Sequence, residues 1–498
     1  MRLAEVLHEV PARVAAGPSG VDIRGIADHS RQVEPGFLFA AVEGHRESGS
    51  AYLEEAIRRG ARAVLSRRPP GPVPPGCAWV RAEDERLALA GAARNFHRRP
   101  DEAIRVVGIT GTNGKTTVSY LLEAILAGGG RSAARIGTVD YRYGGTTAPA
   151  GRTTPSPVDL FRMLAAAREG GDGFAVVEVS SHALDQKRVA GLRFAAAVFT
   201  NLSRDHLDYH GDMEAYFAAK RRLFESLPEG SPAVVNRDDP AGARIASGHR
   251  GRIVTFGFGP DAWCRPEEWR TDRDGIRARL RLGEDGIEVT SPLLGRVNLA
   301  NLLAAAAAAA AVGCSPGGIA AGIARVRTVP GRLERIDPGG GVVAIVDYAH
   351  SPDALAKLLE TVRDLRPARL LCVFGCGGDR DRGKRAPMGR IGALGSDLAI
   401  LTSDNPRSED PRAILAEVER GAREAGGRTD RVEVIADRRE AILAALDRAR
   451  PGDAVVVAGK GHETVQEFAD GSVPFDDREV VREWAAARAG SEPSYGAA

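Results

Sequence analysis

Arg105-Val-Val-Gly-Ile-Thr-Gly-Thr-Asn-Gly-Lys-Thr-Thr117 decides the fold, because an apolar run passes into a glycine-rich turn and then into a helix-forming sequence. A strand, a glycine-rich loop and a helix in this order form a phosphate-binding loop, whose backbone N–H groups and helix dipole cradle phosphates. The strict motif has glycine where this chain has Ile109, so the loop is a variant. We predict ATP binding by the loop residues, which are Gly111, Thr112, Asn113, Gly114, Lys115, Thr116 and Thr117.

Strand-like runs on both sides of this loop indicate an α/β protein. Apolar runs at 174–179 and 195–200 end in polar loops, which is typical of a mostly parallel sheet with its ligand site at the strand carboxyl ends. After residue 330 the alternation of strand and helix restarts, which predicts a Rossmann-like, doubly wound sheet. Before residue 98, three short strand-like runs at 36–42, 61–65 and 78–81 accompany a helical run at 52–59. We predict three α/β domains, at 1–98, 99–330 and 331–498, because 498 residues exceed what one core holds.

The composition narrows the class of protein. The formal net charge of +2 and the 43% of hydrophobic residues are ordinary for a soluble protein, so we expect neither nucleic acid nor a membrane as partner. Five scattered cysteines without a Cys-x-x-Cys pair favour a reducing compartment over a structural zinc site. The first 14 residues lack the apolar core of a signal peptide, and the most apolar run, 299–312, is too short to cross a bilayer. We expect a cytoplasmic protein, and a monomer.

Lysine is rare in this chain, so its positions are candidates for chemistry. Of 68 basic residues six are lysines, which leaves 62 arginines. A lysine ammonium is compact and can lose its proton, whereas a guanidinium cannot. The six are Lys115, Lys187, Lys220, Lys357, Lys384 and Lys460. A solvated surface lysine is the alternative, and we expect it for Lys357 in the helical run 351–362.

Two side chains near the phosphate loop are candidate metal ligands. Glu178 and His206 each lie where a predicted central strand gives way to a loop. Carboxylate and imidazole are side chains that bind divalent cations, such as the one that accompanies a nucleotide. An ordinary buried, hydrogen-bonded histidine is the alternative for His206. The neighbouring phosphate loop favours the metal role.

Nine motifs in register carry a family resemblance. In chain order they are Gly111-Thr-Asn-Gly-Lys-Thr-Thr117, Glu178-Val-Ser-Ser-His182, Asn201-Leu-Ser-Arg-Asp-His-Leu-Asp-Tyr-His-Gly211, Asn298-x-x-Asn301, Pro330-Gly-Arg-Leu-Glu334, Asp347-Tyr-Ala-His-Ser-Pro-Asp353, Gly375-Cys-Gly-Gly-Asp-Arg-Asp381, Asp404-Asn-Pro-Arg407 and Gly459-Lys-Gly-His-Glu463. Together they resemble the Mur ligases of peptidoglycan synthesis, most closely the members that add 2,6-diaminopimelate. The resemblance spans nearly the whole chain.

The resemblance implies an ATP-dependent amide ligase with UDP-N-acetylmuramoyl-L-alanyl-D-glutamate and meso-2,6-diaminopimelate as substrates. In the family the γ-phosphate of ATP converts a carboxylate into an acyl phosphate, which the incoming amine attacks. Lys115 and Mg²⁺ neutralise the phosphoryl oxygens. The implied Mg²⁺ neighbours are Thr116, Glu178 and His206, and Lys220 aligns with a lysine that CO₂ converts into a carbamate. That carbamate is an anion able to hold a second Mg²⁺.

The resemblance also distributes the substrate contacts along the chain. Asn301, Arg332 and Asp347 are implied to hold the nucleotide, with His350 as support or as a turn-capping histidine. The implied UDP-muramoyl-dipeptide contacts are Ser30, Gly44, His45, Arg46, Thr153, Thr154, Ser180, Gln186 and Arg188. One departure is Arg152, where related sequences often have asparagine. Because the contacts fall in three blocks, we expect domain closure.

Selection of the amino acid is implied to lie in the third block. The implied diaminopimelate contacts are Arg380, Asp404, Asn405, Pro406, Arg407, Gly459 and Glu463. The fork of Arg407 can pair bidentately with the second carboxylate of diaminopimelate, which lysine lacks. Glu463 suits the ammonium at the distal centre. With 62 arginines in the chain, an ordinary surface arginine is the alternative for Arg407.

Other functions remain open at this point. A sister ligase that adds lysine, or a folylpolyglutamate synthase with the same phosphate loop, would use similar chemistry. A nucleotide-dependent switch or partner-binding ATPase would bind ATP without ligation. A catalytically silent scaffold is disfavoured because both Lys115 and Lys220 are present.

Overall fold

The computed structural model describes residues 1–44, 48–69, 73–426 and 431–489. Within these ranges the strands form a five-stranded, an eleven-stranded and a six-stranded sheet, together with a two-stranded hairpin. Each large sheet has its own core of buried apolar side chains. The predicted α/β architecture with three domains is confirmed. Among these residues no helix combines the length and the apolar character needed to cross a membrane.

The first sheet has the strand order β1-β5-β4-β3-β2. Only β1 runs antiparallel to its neighbour. The three predicted runs form β3, β4 and β5, and the predicted helical run forms α2. Two strands and two helices were not predicted. The elements are α1 (Leu3–Val6), β1 (Ala12–Ala16), β2 (Gly25–Ala27), β3 (Phe37–Ala40), α2 (Leu53–Arg58), β4 (Ala63–Ser66), β5 (Ala78–Ala82) and α3 (Glu85–Phe96).

The central sheet has the order β16-β15-β14-β13-β12-β11-β6-β10-β7-β8-β9. Its strands are β6 (Arg105–Thr110), β7 (Ala133–Ile136), β8 (Asp140–Tyr143), β9 (Thr146–Pro149), β10 (Phe174–Glu178), β11 (Phe194–Phe199), β12 (Ala233–Asn236), β13 (Ile253–Phe256), β14 (Cys264–Asp272), β15 (Gly275–Leu282) and β16 (Asp285–Ser291). Its helices are α4 (Lys115–Gly128), α5 (Pro157–Glu169), α6 (Ser181–Asp185), α7 (Leu207–His210), α8 (Met213–Glu225), α9 (Pro240–Gly248), α10 (Gly295–Ala311) and α11 (Pro316–Arg325).

The middle of this sheet is parallel, and both of its edges are antiparallel. β10 and β11 flank β6 in parallel register, which brings the ends of all three strands to one side of the sheet. Every residue of β10 is buried, as expected for a strand covered on both faces. The antiparallel meander of β14, β15 and β16 was not predicted. Its signal was present, because β15 buries Ile276, Ala278, Leu280 and Leu282 at alternate positions.

The third sheet has the order β17-β18-β22-β19-β20-β21, and only β17 is antiparallel. The alternation of strands and helices that was predicted after residue 330 is present. The strands are β17 (Glu334–Ile336), β18 (Val343–Asp347), β19 (Leu370–Phe374), β20 (Leu398–Leu401), β21 (Val432–Val434), β22 (Ala454–Ala458), β23 (Val465–Phe468) and β24 (Gly471–Pro474). The helices are α12 (Pro352–Asp364), α13 (Arg385–Gly395), α14 (Pro411–Glu424), α15 (Arg438–Arg448) and α16 (Asp477–Ala489).

A few polar contacts join the three blocks around the phosphate loop. Lys187 donates to Asp84, the residue that caps α3 of the first block. Between the second and third blocks, Asn113 Nδ2 lies 3.5 Å from Asp353 Oδ2. Arg332 Nη2 lies 3.4 Å from Thr116 Oγ1. The phosphate loop therefore faces the third block.

Candidate active site

The phosphate loop joins β6 to α4 in the predicted way. Its glycines are needed where the backbone approaches its neighbours closely. Gly114 precedes α4 at φ +86°, and a Cβ there would lie 2.4 Å from Asn301 Oδ1. A Cβ on Gly111 would lie 1.9 Å from Thr200 Oγ1. Any side chain at either position would push the loop off the strand ends.

Lys115 and Thr116 occupy the first turn of α4. Lys115 Nζ donates to two carbonyl oxygens of its own loop, Gly111 O at 2.8 Å and Thr112 O at 2.9 Å. Burial lowers the pKa of Lys115, and Glu178 opposes that shift. Thr116 Oγ1 donates to Glu178 Oε2 at 3.0 Å. The ammonium, the hydroxyl and the carboxylate are thus brought together, as predicted.

Glu178 is fully buried at the end of β10 and is surrounded by donors. Besides Thr116, Thr138 donates to it twice, through N at 3.1 Å and through Oγ1 at 2.8 Å. Ser119 Oγ lies 3.4 Å from Oε1. Thr138 was not predicted as a site residue, although it lies just after β7, and functional groups of such sheets lie at the carboxyl ends of strands.

Lys220 projects from α8 beneath the loop and is 1% exposed. Its Nζ donates to Gly111 O at 2.8 Å and lies 4.3 Å from the centre of the Tyr216 ring. Burial holds the pKa of Lys220 well below its ordinary value, and the charge of Lys115 adds to this effect, whereas Asp205 opposes it. The predicted surface-lysine alternative therefore does not apply to Lys220.

His206 lies in a cluster of aromatic rings rather than in a ready-made metal site. It precedes α7 with a φ of +54°, and its ring lies 4.8 Å from that of His182. Burial lowers the pKa of His206 to about 3, against the pull of Asp205, whose Oδ2 is 3.5 Å from Nε2. Within the described ranges, no group of three or more His, Cys, Asp and Glu side chains forms a metal-binding cluster.

A cavity of about 640 Å³ opens above the loop between the second and third blocks. Residues 112–117, Thr153, His206, Asn301, Arg332, Asp347 and His350 line it. Further lining residues were not predicted from the sequence, among them Asn236, Asp238, Phe258, Arg296 and Tyr348. Lys220 and Glu178 lie behind the lining.

The three residues predicted to hold the nucleotide from the far side are tightly fixed. Asn301 Nδ2 donates to Asn298 Oδ1 at 3.1 Å. The Arg332 guanidinium lies 4.5 Å from the centre of the Tyr348 ring. Asp347 accepts from Leu333 N at 2.7 Å and from Ala349 N at 2.8 Å, and burial raises its pKa. His350 Nδ1 is 2.9 Å from Tyr348 O, in keeping with its turn-capping alternative.

Five of the predicted muramoyl-peptide residues form one hydrogen-bond network. Arg188 donates to Thr154 O at 2.8 Å and to Gln186 Oε1 at 2.6 Å. Thr154 Oγ1 accepts from Ser180 N at 3.0 Å and donates to Glu178 O at 2.8 Å. The fifth member, Thr153, lies 3.2 Å from Thr138 Oγ1. This network therefore reaches the carboxylate that meets Thr116.

The predicted contacts of the first block are only partly described. Ser30 is buried and donates to Glu55 Oε2 at 2.8 Å. Gly44 follows Glu43, which forms an isolated β-bridge with Ser48. His45 and Arg46 lie outside the described residues.

Arg152, the departure from the family pattern, adds positive charge beside Arg188. Its backbone N donates to Tyr141 Oη at 3.0 Å, and its side chain is exposed. Burial lowers the pKa of Arg188 to about 10, with further lowering by the charges of Arg152 and Arg86. Arg188 has no carboxylate within ion-pair distance among the residues described. The site therefore presents unpaired positive charge to an anionic ligand.

The predicted amino-acid contacts lie together at the carboxyl end of the third sheet, in a region that is called the amino-acid pocket below. Asn405 Nδ2 donates to Glu463 Oε2 at 2.8 Å. A Cβ on Gly459 would lie 2.4 Å from Asp404 Oδ2, so the loop after β22 packs directly on Asp404. Gly378 packs against Pro406 in the same way, because a Cβ on Gly378 would lie 1.9 Å from Pro406 O. Two separate loops thus close on residues 404–406.

Arg407 is held by its neighbours, whereas Arg380 is exposed. Arg407 Nε pairs with Glu467 Oε2 at 2.7 Å, and Nη1 donates to Gly378 O at 2.9 Å. Arg380 Nη1 donates to the preceding Asp379 O, at 3.0 Å. Both arginines approach Gly377, whose added Cβ would lie 3.1 Å from Arg407 Nη1 and 4.0 Å from Arg380 Cγ. Glu467 was not identified from the sequence, and the buried Lys460 was named there only as one of six candidate lysines, without a role.

Three family descriptions match this chain in order. Residues 22–97 match "Mur ligase family, catalytic domain", residues 109–309 match "Mur ligase middle domain", and residues 331–461 match "Mur ligase, glutamate ligase domain". Two similar curated proteins are the UDP-N-acetylmuramoyl-L-alanyl-D-glutamate--2,6-diaminopimelate ligases of Geobacter metallireducens, 46% identical, and Solibacter usitatus, 45% identical. Each match covers 97% of this chain and 98% of the relative.

Solved structures agree with this match. The structure of a UDP-N-acetylmuramoyl-L-alanyl-D-glutamate--2,6-diaminopimelate ligase is 34% identical with a TM-score of 0.68, covering 98% of this chain and 99% of the other. A folylpolyglutamate synthase of Mycobacterium tuberculosis, 20% identical with a TM-score of 0.61, covers 81% of this chain and 95% of its own and shares the fold alone. On the strength of the near-complete match to relatives at 46% identity, this chain belongs to the Mur ligase family.

Proposed function

We propose that this protein is an ATP-dependent amide ligase that adds meso-2,6-diaminopimelate to UDP-N-acetylmuramoyl-L-alanyl-D-glutamate in peptidoglycan precursor synthesis. The observation that carries the proposal is the 46% identity, over 97% of this chain, to a ligase named for these reactants. The geometry supports it, because the phosphate loop and the basic peptide network meet at Glu178, and residues of the second and third blocks line the cavity above the loop. The family resemblance to folylpolyglutamate synthase extends to the fold alone.

The first step proposed is activation of the substrate carboxylate. A carboxylate oxygen attacks the γ-phosphorus of ATP, the bond to the bridging oxygen breaks, and ADP leaves, which yields an acyl phosphate. Two anions meet in this step, so charge stabilisation and positioning supply most of the catalysis. Lys115 is suited to bind the phosphoryl oxygens once it turns away from Gly111 O and Thr112 O. Asn301 and Arg332 hold the nucleotide from the opposite side.

The side chains behind the loop fit a magnesium ion. Thr116 Oγ1 and the Glu178 carboxylate are oxygen donors 3.0 Å apart, and Mg²⁺ prefers oxygen ligands and keeps several waters and phosphate oxygens. A cluster of several protein ligands is therefore not required. Thr116 and Glu178 would hold the ion directly, and His206, which lines the same cavity as Thr116, would complete the predicted set if its ring turned toward them. When bound, it would neutralise phosphate charge.

Lys220 is proposed to act as a carbamate. A neutral amine attacks CO₂, forms an N–C bond and loses a proton, so the side chain changes from a cation to an anion. The lowered pKa of Lys220 supports this step, because it favours the neutral amine. An arginine could not react in this way. As a carbamate, Lys220 would hold a second metal ion with its oxygens.

In the second step the amino acid attacks the acyl phosphate. The amine attacks in its neutral –NH2 form and its nitrogen forms the C–N bond; the tetrahedral intermediate then breaks its C–O bond to phosphate, which leaves with the proton that the nitrogen loses. Arg407 is suited to the second carboxylate of diaminopimelate through its Nη1 and Nη2 end, because Glu467 already occupies Nε. Glu463 is suited to the distal ammonium. A pocket built for an ion pair rejects lysine, which lacks that carboxylate.

The predicted boundaries near residues 98 and 330 form part of the proposal, with the UDP moiety bound by the first block and the amino acid by the third. A cytoplasmic location is also proposed. All five cysteines are unpaired, which is usual for proteins of a reducing compartment.

Phosphate release measured with ATP, Mg²⁺, UDP-N-acetylmuramoyl-L-alanyl-D-glutamate and each diamino acid in turn tests the proposal. We expect turnover with meso-diaminopimelate far above that with L-lysine, and a tripeptide product by mass spectrometry. Turnover that prefers lysine would make the chain a lysine-adding ligase. ATP hydrolysis that does not depend on the UDP-muramoyl dipeptide would instead indicate a switch or partner-binding ATPase.

A further inference from the structure

The amino-acid pocket contains a buried cation that the proposed reaction does not use. Lys460 lies in the loop after β22, and its side chain is 0% exposed. Burying an ammonium is costly unless it is paired and hydrogen-bonded. The chain has 62 arginines, yet this position has a lysine. The three N–H donors of an ammonium share one nitrogen, so a lysine can donate to several acceptors that surround a single point.

The ammonium of Lys460 bridges the two loops of the pocket. Its Nζ donates to Asn405 Oδ1 at 2.9 Å and to Glu463 Oε2 at 2.9 Å. Asn405 Nδ2 donates to the same Glu463 oxygen at 2.8 Å. The three side chains therefore close a ring of hydrogen bonds between the loop after β20 and the loop after β22.

This ring fixes the direction of both partners. An ammonium can only donate, so Asn405 must turn Oδ1 toward Lys460, and its Nδ2 then faces Glu463. Both bonds to Glu463 end on Oε2, and Oε1 has no hydrogen-bond donor among the described residues. The Glu463 side chain is 27% exposed, so Oε1 remains accessible to a ligand.

We infer that Lys460 is a positioning residue of the amino-acid pocket, which orients Asn405 and leaves Glu463 Oε1 free for an ammonium group of the incoming amino acid. The inference rests on the proposed function, since it assumes a diamino acid as ligand. It predicts an effect on amino-acid binding and none on ATP binding.

Steady-state kinetics of Lys460→Met and Lys460→Gln test this role. We expect the KM for meso-diaminopimelate to rise about tenfold or more, with the KM for ATP within about twofold of wild type. Arg369→Met is the matched control, because Arg369 pairs with the buried Asp453 at 2.6 Å near the amino end of β19, away from the pocket. The control should lower Tm and leave every KM unchanged. Lys460 variants that behave like this control would overturn the inference.

A double-mutant cycle with Glu463→Gln separates positioning from a general loss of structure. If Lys460 acts through Glu463, Lys460→Met should change the KM for diaminopimelate by less than about twofold in the Glu463→Gln background. Fully additive effects would contradict the inference, as would failure of both Lys460 variants to fold.

If wild type does not ligate diaminopimelate at all, the proposed function itself is wrong. If wild type ligates it and the Lys460 variants keep its KM, only this inference fails.

Discussion

At the scale of single residues, burial decides which lysines have a lowered pKa and which remain ordinary surface cations. Lys220 is buried and Lys115 is half-buried, and the ammonium of each lies 2.8 Å from the same carbonyl oxygen, Gly111 O. Two cations that share one acceptor in a dry environment disfavour each other's charge. Burial lowers the pKa of both residues, and the charge of Lys115 lowers the pKa of Lys220 further. Lys357, in contrast, pairs with Asp353 at 2.9 Å on a half-exposed helix face, although it also borders the cavity.

The first prediction concerns the carbamate. Lys220→Ala should reduce ligation to background, and a short-chain carboxylate such as acetate or propionate should partly restore it, because the lost group is an anion. Phosphate release measured with and without added carboxylate checks this. Arg221→Ala, on the exposed face of the same helix, should retain activity and show no stimulation. A Lys220→Ala enzyme that no carboxylate stimulates would count against the carbamate and leave the ligase assignment standing.

The second prediction concerns recognition of the amino acid. Arg407→Ala should raise the KM for diaminopimelate by the equivalent of about 2–3 kcal/mol, the value of a desolvated charged hydrogen bond. Its KM for ATP should not change. Arg423→Ala is the control, since Arg423 forms an exposed pair with Glu419 on α14. A change confined to the KM for ATP would refute the assigned role.

At the scale of elements, the turn between β6 and α4 shows why glycine is required. The third prediction is that Gly114→Ala lowers ATP affinity about tenfold or more, because a left-handed φ costs a non-glycine residue about 1–2 kcal/mol and the added Cβ collides with Asn301. Isothermal titration with ATP checks it. Gly145→Ala has a similar φ of +80° but open space around the Cβ, so it isolates the backbone cost. Equal ATP affinity in both variants would remove the role of the Asn301 contact.

The elements also explain how the pocket loops are fixed. β22 ends in the loop that carries Gly459 and Lys460, and β20 ends in the loop that carries residues 404–407. The buried pair of Arg438 and Asp477, at 2.7 Å, supports both loops, because Arg438 also donates to Ser403 O and Ala458 O. Breaking such a pair leaves an uncompensated buried charge. The pocket is therefore supported by helix α15 as well as by the strands.

At the scale of the whole molecule, buried neutral histidines couple stability to pH. Burial lowers the pKa of His97 to about 4, with help from Arg162. A histidine of the unfolded chain has a pKa of about 6.5, so between about pH 6.5 and pH 4 it binds a proton that His97 of the folded protein does not bind. Stability therefore falls as pH falls from about 6.5 toward about 4.

The fourth prediction follows from that coupling. Tm should be lower at pH 5.0 than at pH 7.5, and His97→Gln should make the difference smaller. The difference should not vanish, because burial also lowers the pKa of His182 to about 4 and that of His462 to about 3. Differential scanning fluorimetry at both pH values checks this, with His8→Gln at an exposed position as control. An unchanged Tm difference in His97→Gln would show that His97 is protonated in the folded protein.

Much of this arrangement could be predicted from the sequence. The sequence from Arg105 to Thr117 predicts a strand, a turn and a helix from local patterns alone. The polar residues after β10 and β11 lie near the phosphate loop because neighbouring parallel strands end at the same edge of the sheet. The motifs around Asp404 and Gly459 are likewise visible in the sequence. Such patterns depend on neighbours in the chain, which a sequence displays directly.

The tertiary structure decided what depends on distant parts of the chain. The sequence could not reveal that Lys220 meets Gly111 O across 109 positions, that Thr138 donates twice to Glu178, or that Lys460 joins Asn405 to Glu463. Each of these contacts depends on burial and on the approach of separate loops. The rarity of lysine made Lys220 and Lys460 candidates for chemistry. Only packing could remove Lys220 from water and surround Lys460 with acceptors. The dielectric environment of a side chain is a property of the folded protein and not of the order of residues in the chain.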